Sequence, residues 1–196
     1  MLTFLVAALL LIVTPGPGVL SLAGVGSAFG FRSGIKYFIG LFIGNNLVGF
    51  FVISGLGALV FANPSTRTVL LILSSTYLMY LAASIAFSGS KIRFKGYAIM
   101  PGLKSGMLLQ IINPKAYVVN STIYSGFLLF ENAYFFEVLV KFLIFNAIWL
   151  LVHVLWLYLG VLIKRLELSS SIQRLINYFM AFSMISVVAL SAVAAM

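Results

Sequence analysis

Long apolar runs alternate with short polar breaks along this chain, and the spacing of the breaks predicts its elements. A hydrocarbon core about 30 Å thick is crossed by roughly 20 helical residues. Six stretches reach that length: Phe4–Phe29, Ile35–Phe61, Thr68–Phe87, Leu103–Phe130, Phe135–Ile163 and Leu175–Ala195. None alternates apolar and polar residues with period two, which argues against a β-barrel. The pattern predicts an all-α membrane protein of about six transmembrane helices, forming a single domain over residues 1–196.

Composition agrees. Of 196 residues, 63% are apolar and only 8% are charged, with a mean hydropathy of +1.18. Soluble domains are about a quarter charged, so the polar side chains here cannot cover a water-facing surface. The first residues, Met1-Leu2-Thr3-Phe4, lack the charged leader of a cleavable signal, and the first run is expected to stay as a span. Without cysteine, disulfides, thiol chemistry and thiolate metal sites are excluded.

The 12 Lys and Arg against three Glu, with no Asp, give a formal net charge of +9. The basic residues sit in short connections, where they fix topology. No segment is long enough to build the basic face that nucleic acid requires. The first, third and fifth connections hold nine of them: Arg32, Lys36, Lys91, Arg93, Lys95, Lys104, Lys164, Arg165 and Arg174. The second and fourth hold only Arg67 and Lys141. The odd connections are therefore expected in the cytoplasm and both termini in the periplasm. Lys115 fits neither set. It lies 11 residues beyond Lys104, roughly 16 Å along a helix and so near mid-membrane.

Thr14-Pro15 in the first span corresponds to Asn113-Pro114 in the fourth at a spacing of 99, and Asn45 and Asn46 match Asn146 at about 100. Three spans per half would orient the halves oppositely, a 3+3 inverted repeat of residues 1–98 and 99–196. Thr14-Pro15-Gly16-Pro17-Gly18 should interrupt its helix outright, because proline removes a donor and glycine tolerates unusual dihedrals. Thr14 is expected as N-cap and Pro15 as the first residue of a fresh helix. Asn113-Pro114-Lys115 repeats that grammar. Broken helices 1 and 4 would thus aim N–H groups and positive dipole ends into the membrane, an arrangement suited to a carboxylate. Paired proline kinks are the plainer alternative.

A Lys at the centre of a span costs about 2.5–3.5 kcal/mol on insertion scales. Lys115 also opposes the helix dipole, so an anionic partner is expected, against the alternative of a snorkelling side chain. Asn45, Asn46 and Asn146 either join helices or line a cavity. Gly40-x-x-x-Gly44 is a close-packing pattern. Tyr77 and Tyr80 suit interfacial anchoring. His153 has no Asp or Cys to build a metal or acid–base site with, and reads as a core residue.

Pro15-Gly16-Pro17, Gly40-x-x-x-Gly44, Tyr77-Leu78-x-Tyr80-Leu81 and Gly106-x-x-x-x-x-x-Asn113-Pro114-Lys115-Ala116 occur in that order. Together they resemble the LysE/RhtB family of bacterial amino-acid exporters. The resemblance implies an inner-membrane carrier without a cofactor, exporting amino acids or similar small zwitterions by alternating access coupled to proton or solute exchange. Asn45 stands where the family usually has Asp, and Ala82 where it usually has Gly. The implied substrate-binding residues are Thr14, Pro15, Gly16, Pro17, Asn45, Asn46, Asn113, Pro114, Lys115 and Asn146. The expected partners are a small-molecule substrate and the lipid bilayer, and assembly into a homo-oligomer stays open. A non-transporting membrane subunit and a membrane-embedded enzyme are the rival classes, the latter weakened by the missing catalytic groups.

Overall fold

The computed structural model describes residues 1–56, 63–87, 100–166 and 169–193. Lys91, Arg93, Lys95 and Glu167 lie outside the described residues. Eight helices make up most of the described residues: α1 (Leu2–Val13), α2 (Pro17–Phe29), α3 (Phe31–Ile53), α4 (Pro64–Ala86), α5 (Leu103–Ile112), α6 (Pro114–Ser125), α7 (Tyr134–Arg165) and α8 (Ser170–Val193). No strand occurs among the described residues.

The first apolar run is two helices, α1 and α2, bent by 49° at their junction. Three helices, α3, α4 and α7, are each long and apolar enough to cross a membrane, and the bent pair adds a fourth candidate. The fourth run divides into α5 and α6, of 10 and 12 residues, each too short to cross alone. Helix α7, with 32 residues, is about 48 Å long and overshoots a hydrocarbon core of about 30 Å. Leu10, Phe50, Ile72, Leu151 and Phe182 are among many large apolar side chains left exposed. Lipid is the solvent that accepts such a surface.

Packing relies on small residues. A Cβ on Gly40 would lie 2.0 Å from the Leu103 carbonyl oxygen, one on Gly44 2.7 Å from that of Met107, and one on Gly106 2.2 Å from that of Tyr37. Helices α3 and α5 therefore touch backbone to backbone, the closeness that drives association when lipid removes any hydrophobic gain. Helices α2 and α7 do likewise, with Gly160 against the Ala23 carbonyl. Tyr77 of α4 donates to the Ser105 carbonyl of α5 at 3.2 Å, so it ties helices together where sequence suggested an interfacial anchor.

One end of the bundle is basic. Ser33 donates to the Pro101 carbonyl at 2.7 Å, and Lys164 to the Ala28 carbonyl at 3.3 Å. These contacts gather the start of α3, the start of α5 and the end of α7 on one side, with Arg32, Lys36, Lys104, Lys164 and Arg165 exposed around them. Gly30, at φ +83°, makes the turn between α2 and α3 in the left-handed region that favours glycine.

Candidate functional site

The two helix breaks meet. Gly16, not Thr14, is the N-cap of α2, with Pro17 as the first helical residue. Thr14 instead closes α1, donating its hydroxyl to the Leu10 carbonyl at 2.5 Å. The shift of two residues follows from proline sterics: a residue before proline is pushed out of the helical region. Pro17 holds Gly16 extended at φ −164°, ψ 179°, so no helix can run from Pro15 through Gly16. In the second break Asn113 is the N-cap of α6, as its sequence grammar indicates, and its Oδ1 accepts from the Lys115 amide at 3.1 Å.

Lys115 leaves the first turn of α6 and crosses to the first break. Its Nζ donates to the Thr14 carbonyl at 2.5 Å, and its stem covers Gly16, where a Cβ would lie 2.8 Å from Cδ. A side chain at Gly16 would push this lysine aside. No carboxylate pairs with Lys115 among the described residues. Beside it opens a pocket. Its polar lining is Thr14, Asn45, Gln110, Asn113, Lys115 and His153; Leu11, Ile12, Val19, Val119, Phe145 and Trp149 supply most of its apolar wall. Gly18 and Val19 also line it, and amides of a helix's first turn have no acceptor within the helix.

The polar groups are oriented in sequence. The Asn113 oxygen takes the Lys115 amide, so its Nδ2 faces Gln110 and donates to Oε1 at 3.0 Å. Asn120 Nδ2 donates to the Ala116 carbonyl at 2.7 Å and to Asn45 Oδ1 at 3.2 Å. That occupies the Asn45 oxygen and leaves its buried Nδ2 without a partner. His153 Nδ1 lies 2.9 Å from the Trp149 carbonyl, and the His153 ring stacks on Trp149 at 3.5 Å.

The family of LysE type translocators matches residues 9–194. The chain belongs to that family. Similar proteins include the "Leucine efflux protein" of Salmonella typhimurium, 29% identical over 119 residues, which are 58% of this chain and 56% of that one. The proteins of the same name from Enterobacter sp. and Klebsiella pneumoniae are likewise 29% identical, over 58% and 59% of this chain and 56% and 57% of theirs. Each match thus spans little more than half of the relative's length. No solved structure matches significantly.

Within this translocator the residues singled out by sequence divide. Thr14, Gly16, Asn45, Asn113 and Lys115 line the pocket. Pro15, Pro17 and Pro114 shape the breaks behind it, Pro15 being exposed and Pro17 buried. Asn46 and Asn146 do not line it: Asn46 Nδ2 donates to Asn146 Oδ1 at 3.1 Å, joining α3 to α7. Gln110, Asn120, Trp149 and His153 come from outside that set. Gln110 and Asn120 carried a usable signal, since a polar residue deep in a span marks a functional candidate. His153 carried less, because its role depends on α2 standing opposite.

Proposed function

We propose that this translocator exports a neutral amino acid with an apolar side chain from the bacterial cytoplasm across the inner membrane. The observation that carries the reading is Lys115 Nζ, set where the two breaks meet and bound to one backbone carbonyl, with no acid beside it among the described residues. A substrate carboxylate would replace Thr14 as its partner and gain the dipole end of α2 behind Gly16. The Asn45 Nδ2 group would supply a further donor. The apolar wall of Leu11, Ile12, Val19, Val119 and Phe145 suits an aliphatic side chain, in keeping with relatives named for leucine efflux. With Asn45 in place of an acid, the described lining holds no carboxylate to pair with a cationic side chain.

Transport would proceed by alternating access between the halves of a 3+3 inverted repeat, coupled to proton or solute exchange. Two contacts support the repeat. Asn46 and Asn146, 100 residues apart, bond to one another, as equivalent residues beside a two-fold axis would. Lys115 reaches Thr14 across a separation of 101 residues, joining equivalent breaks. The basic end described above would face the cytoplasm. Fusions after Gly89 and Ser170 would then report cytoplasm, and one after Ala62 periplasm.

Uptake of a radiolabelled amino-acid panel into inside-out vesicles tests the reading. Vesicles bearing the protein should take up leucine and similar neutral amino acids faster than empty vesicles. Equal rates across the whole panel would leave a non-transporting subunit as the better account.

A further inference from the structure

We propose that His153 Nε2 and Gln110 Oε1 form the subsite for the substrate's ammonium group, over the bare face of Gly18. This rests on the amino-acid reading and adds the end of the zwitterion that Lys115 cannot hold.

The chemistry of the two acceptors is fixed by their other bonds. A carbonyl only accepts, so the hydrogen between His153 Nδ1 and the Trp149 carbonyl belongs to Nδ1. A neutral imidazole protonated at Nδ1 presents a lone pair at Nε2. Gln110 Oε1 already accepts from Asn113 Nδ2 at 3.0 Å, and a carbonyl oxygen has a second lone pair. Both acceptors converge on one small space. A Cβ built on Gly18 would lie 3.5 Å from His153 Nε2, 3.7 Å from Gln110 Nε2 and 3.8 Å from Gln110 Oε1, so the Gln110 amide meets this space with both its nitrogen and its oxygen. His153 is buried to 4% exposure and held by the stacked Trp149 ring, so Nε2 cannot swing away to find another partner.

Gly18 is itself anchored. Its carbonyl accepts from Ser21 Oγ at 2.9 Å, and Ser21 accepts from the buried Tyr37 hydroxyl at 3.1 Å. The distance to the carboxylate end also fits. Lys115 lies over Gly16 and His153 over Gly18, and two Cα steps span at most about 7.6 Å. The carboxylate and ammonium of an α-amino acid share one carbon, so with a hydrogen bond at each end they bridge such a gap. The pocket then reads both charged groups along one short stretch of broken helix.

The test compares leucine with 4-methylpentanoate, which has the same carboxylate and branch but no ammonium. Equilibrium binding to the purified protein measures the preference between them. Gly18→Ala adds a methyl at ordinary contact distance from its neighbours, so the fold accepts it while the ammonium space is filled. It should weaken leucine binding roughly tenfold or more, the effect of losing hydrogen bonds to a charged group, and leave 4-methylpentanoate unchanged. His153→Leu should do the same, and His153→Gln, which keeps an acceptor oxygen, should retain part of the preference. A preference within about twofold of the parent in both Gly18→Ala and His153→Leu overturns the assignment. If the parent protein neither binds nor transports leucine, the amino-acid reading fails, and this one with it. If the parent binds leucine and the variants keep its preference, the ammonium subsite alone fails.

Discussion

Among the described residues two lysines, Lys115 and Lys141, reach inside the helix bundle, and their surroundings could hardly differ more. Lys141, at 1% exposure, is the better buried. It bonds to Glu137 Oε1 at 2.5 Å, to the Tyr124 carbonyl at 3.0 Å and to the Phe127 carbonyl. Glu137 in turn accepts from the Phe130 amide at 3.1 Å. All three donors of that ammonium are used, and they pin the end of α6 to the start of α7. Lys115 has a single backbone acceptor, no acid among the described residues and a pocket beside it. A cation taken out of water is costly in either place. One region compensates the cost within the fold. The other leaves room for an anion to do so. Burial alone singles out Lys141; the count of unfilled partners singles out Lys115.

The contrast is broken most severely at the structural lysine. Lys141→Met leaves the Glu137 carboxylate without its cation and the loop between α6 and α7 without its tie, and removing one partner of such a pair is strongly destabilising. Folded yield from membranes, read by size-exclusion chromatography, should fall several-fold. Adding Glu137→Gln should restore part of it. Efflux per folded molecule should stay close to that of the parent, which is the sign of a structural role.

A medium effect is expected at Asn45. Asn45→Asp places a titratable group in a pocket whose described lining otherwise contains no acid. A carboxylate there binds protons or cations in a low dielectric. Initial efflux rates should acquire a new pH dependence, different from the parent's, with selectivity moving toward cationic amino acids, while yield holds. An unchanged pH profile and selectivity would remove Asn45 from the pathway.

The smallest effect belongs to the pair outside the pocket. Asn46→Leu deletes one interhelical hydrogen bond, worth about 0.6 kcal/mol in a membrane. The melting temperature in detergent should fall by about 2 °C, with the rate of leucine efflux nearly unchanged. A large loss of transport without a loss of stability would move Asn46 into the site.

Much of this was legible in the sequence where backbone chemistry decides. Proline and glycine announced both breaks, and Asn113 announced its own cap. The start of α2 was misplaced by two residues because Thr14-Pro15 and Gly16-Pro17 each satisfy the rule for a helix start; the extended state forced on Gly16 decides between them. Neighbouring asparagines were harder. One residue turns a helix by about 100°, so Asn45 faces Asn120 and the pocket while Asn46 faces Asn146. In a soluble helix the apolar stripe would show which face turns inward. Here lipid-facing and core-facing positions are both apolar, and that signal disappears. His153, read from the sequence as a core residue, is buried and bonded to the Trp149 carbonyl; that it and Trp149 also line the pocket does not show in a helix that reads as apolar all round, because only the packing of α2 against α7 shows which side meets the break.

The central claim is that Lys115 holds the substrate carboxylate, and initial leucine efflux from Lys115→Met, normalised to folded protein in the membrane, tests it most directly. The substitution preserves the stem and removes the insertion cost, so the protein should insert at least as well as the parent. Efflux should drop about a hundredfold or more, the cost of truncating one partner of a buried charge pair. Lys115→Arg should recover only part of it, because a planar fork replaces a compact charge, and Lys104→Met at the membrane edge should keep turnover. Near-parental efflux from Lys115→Met would show a lysine that merely caps the Thr14 carbonyl, and the account of the site would be wrong.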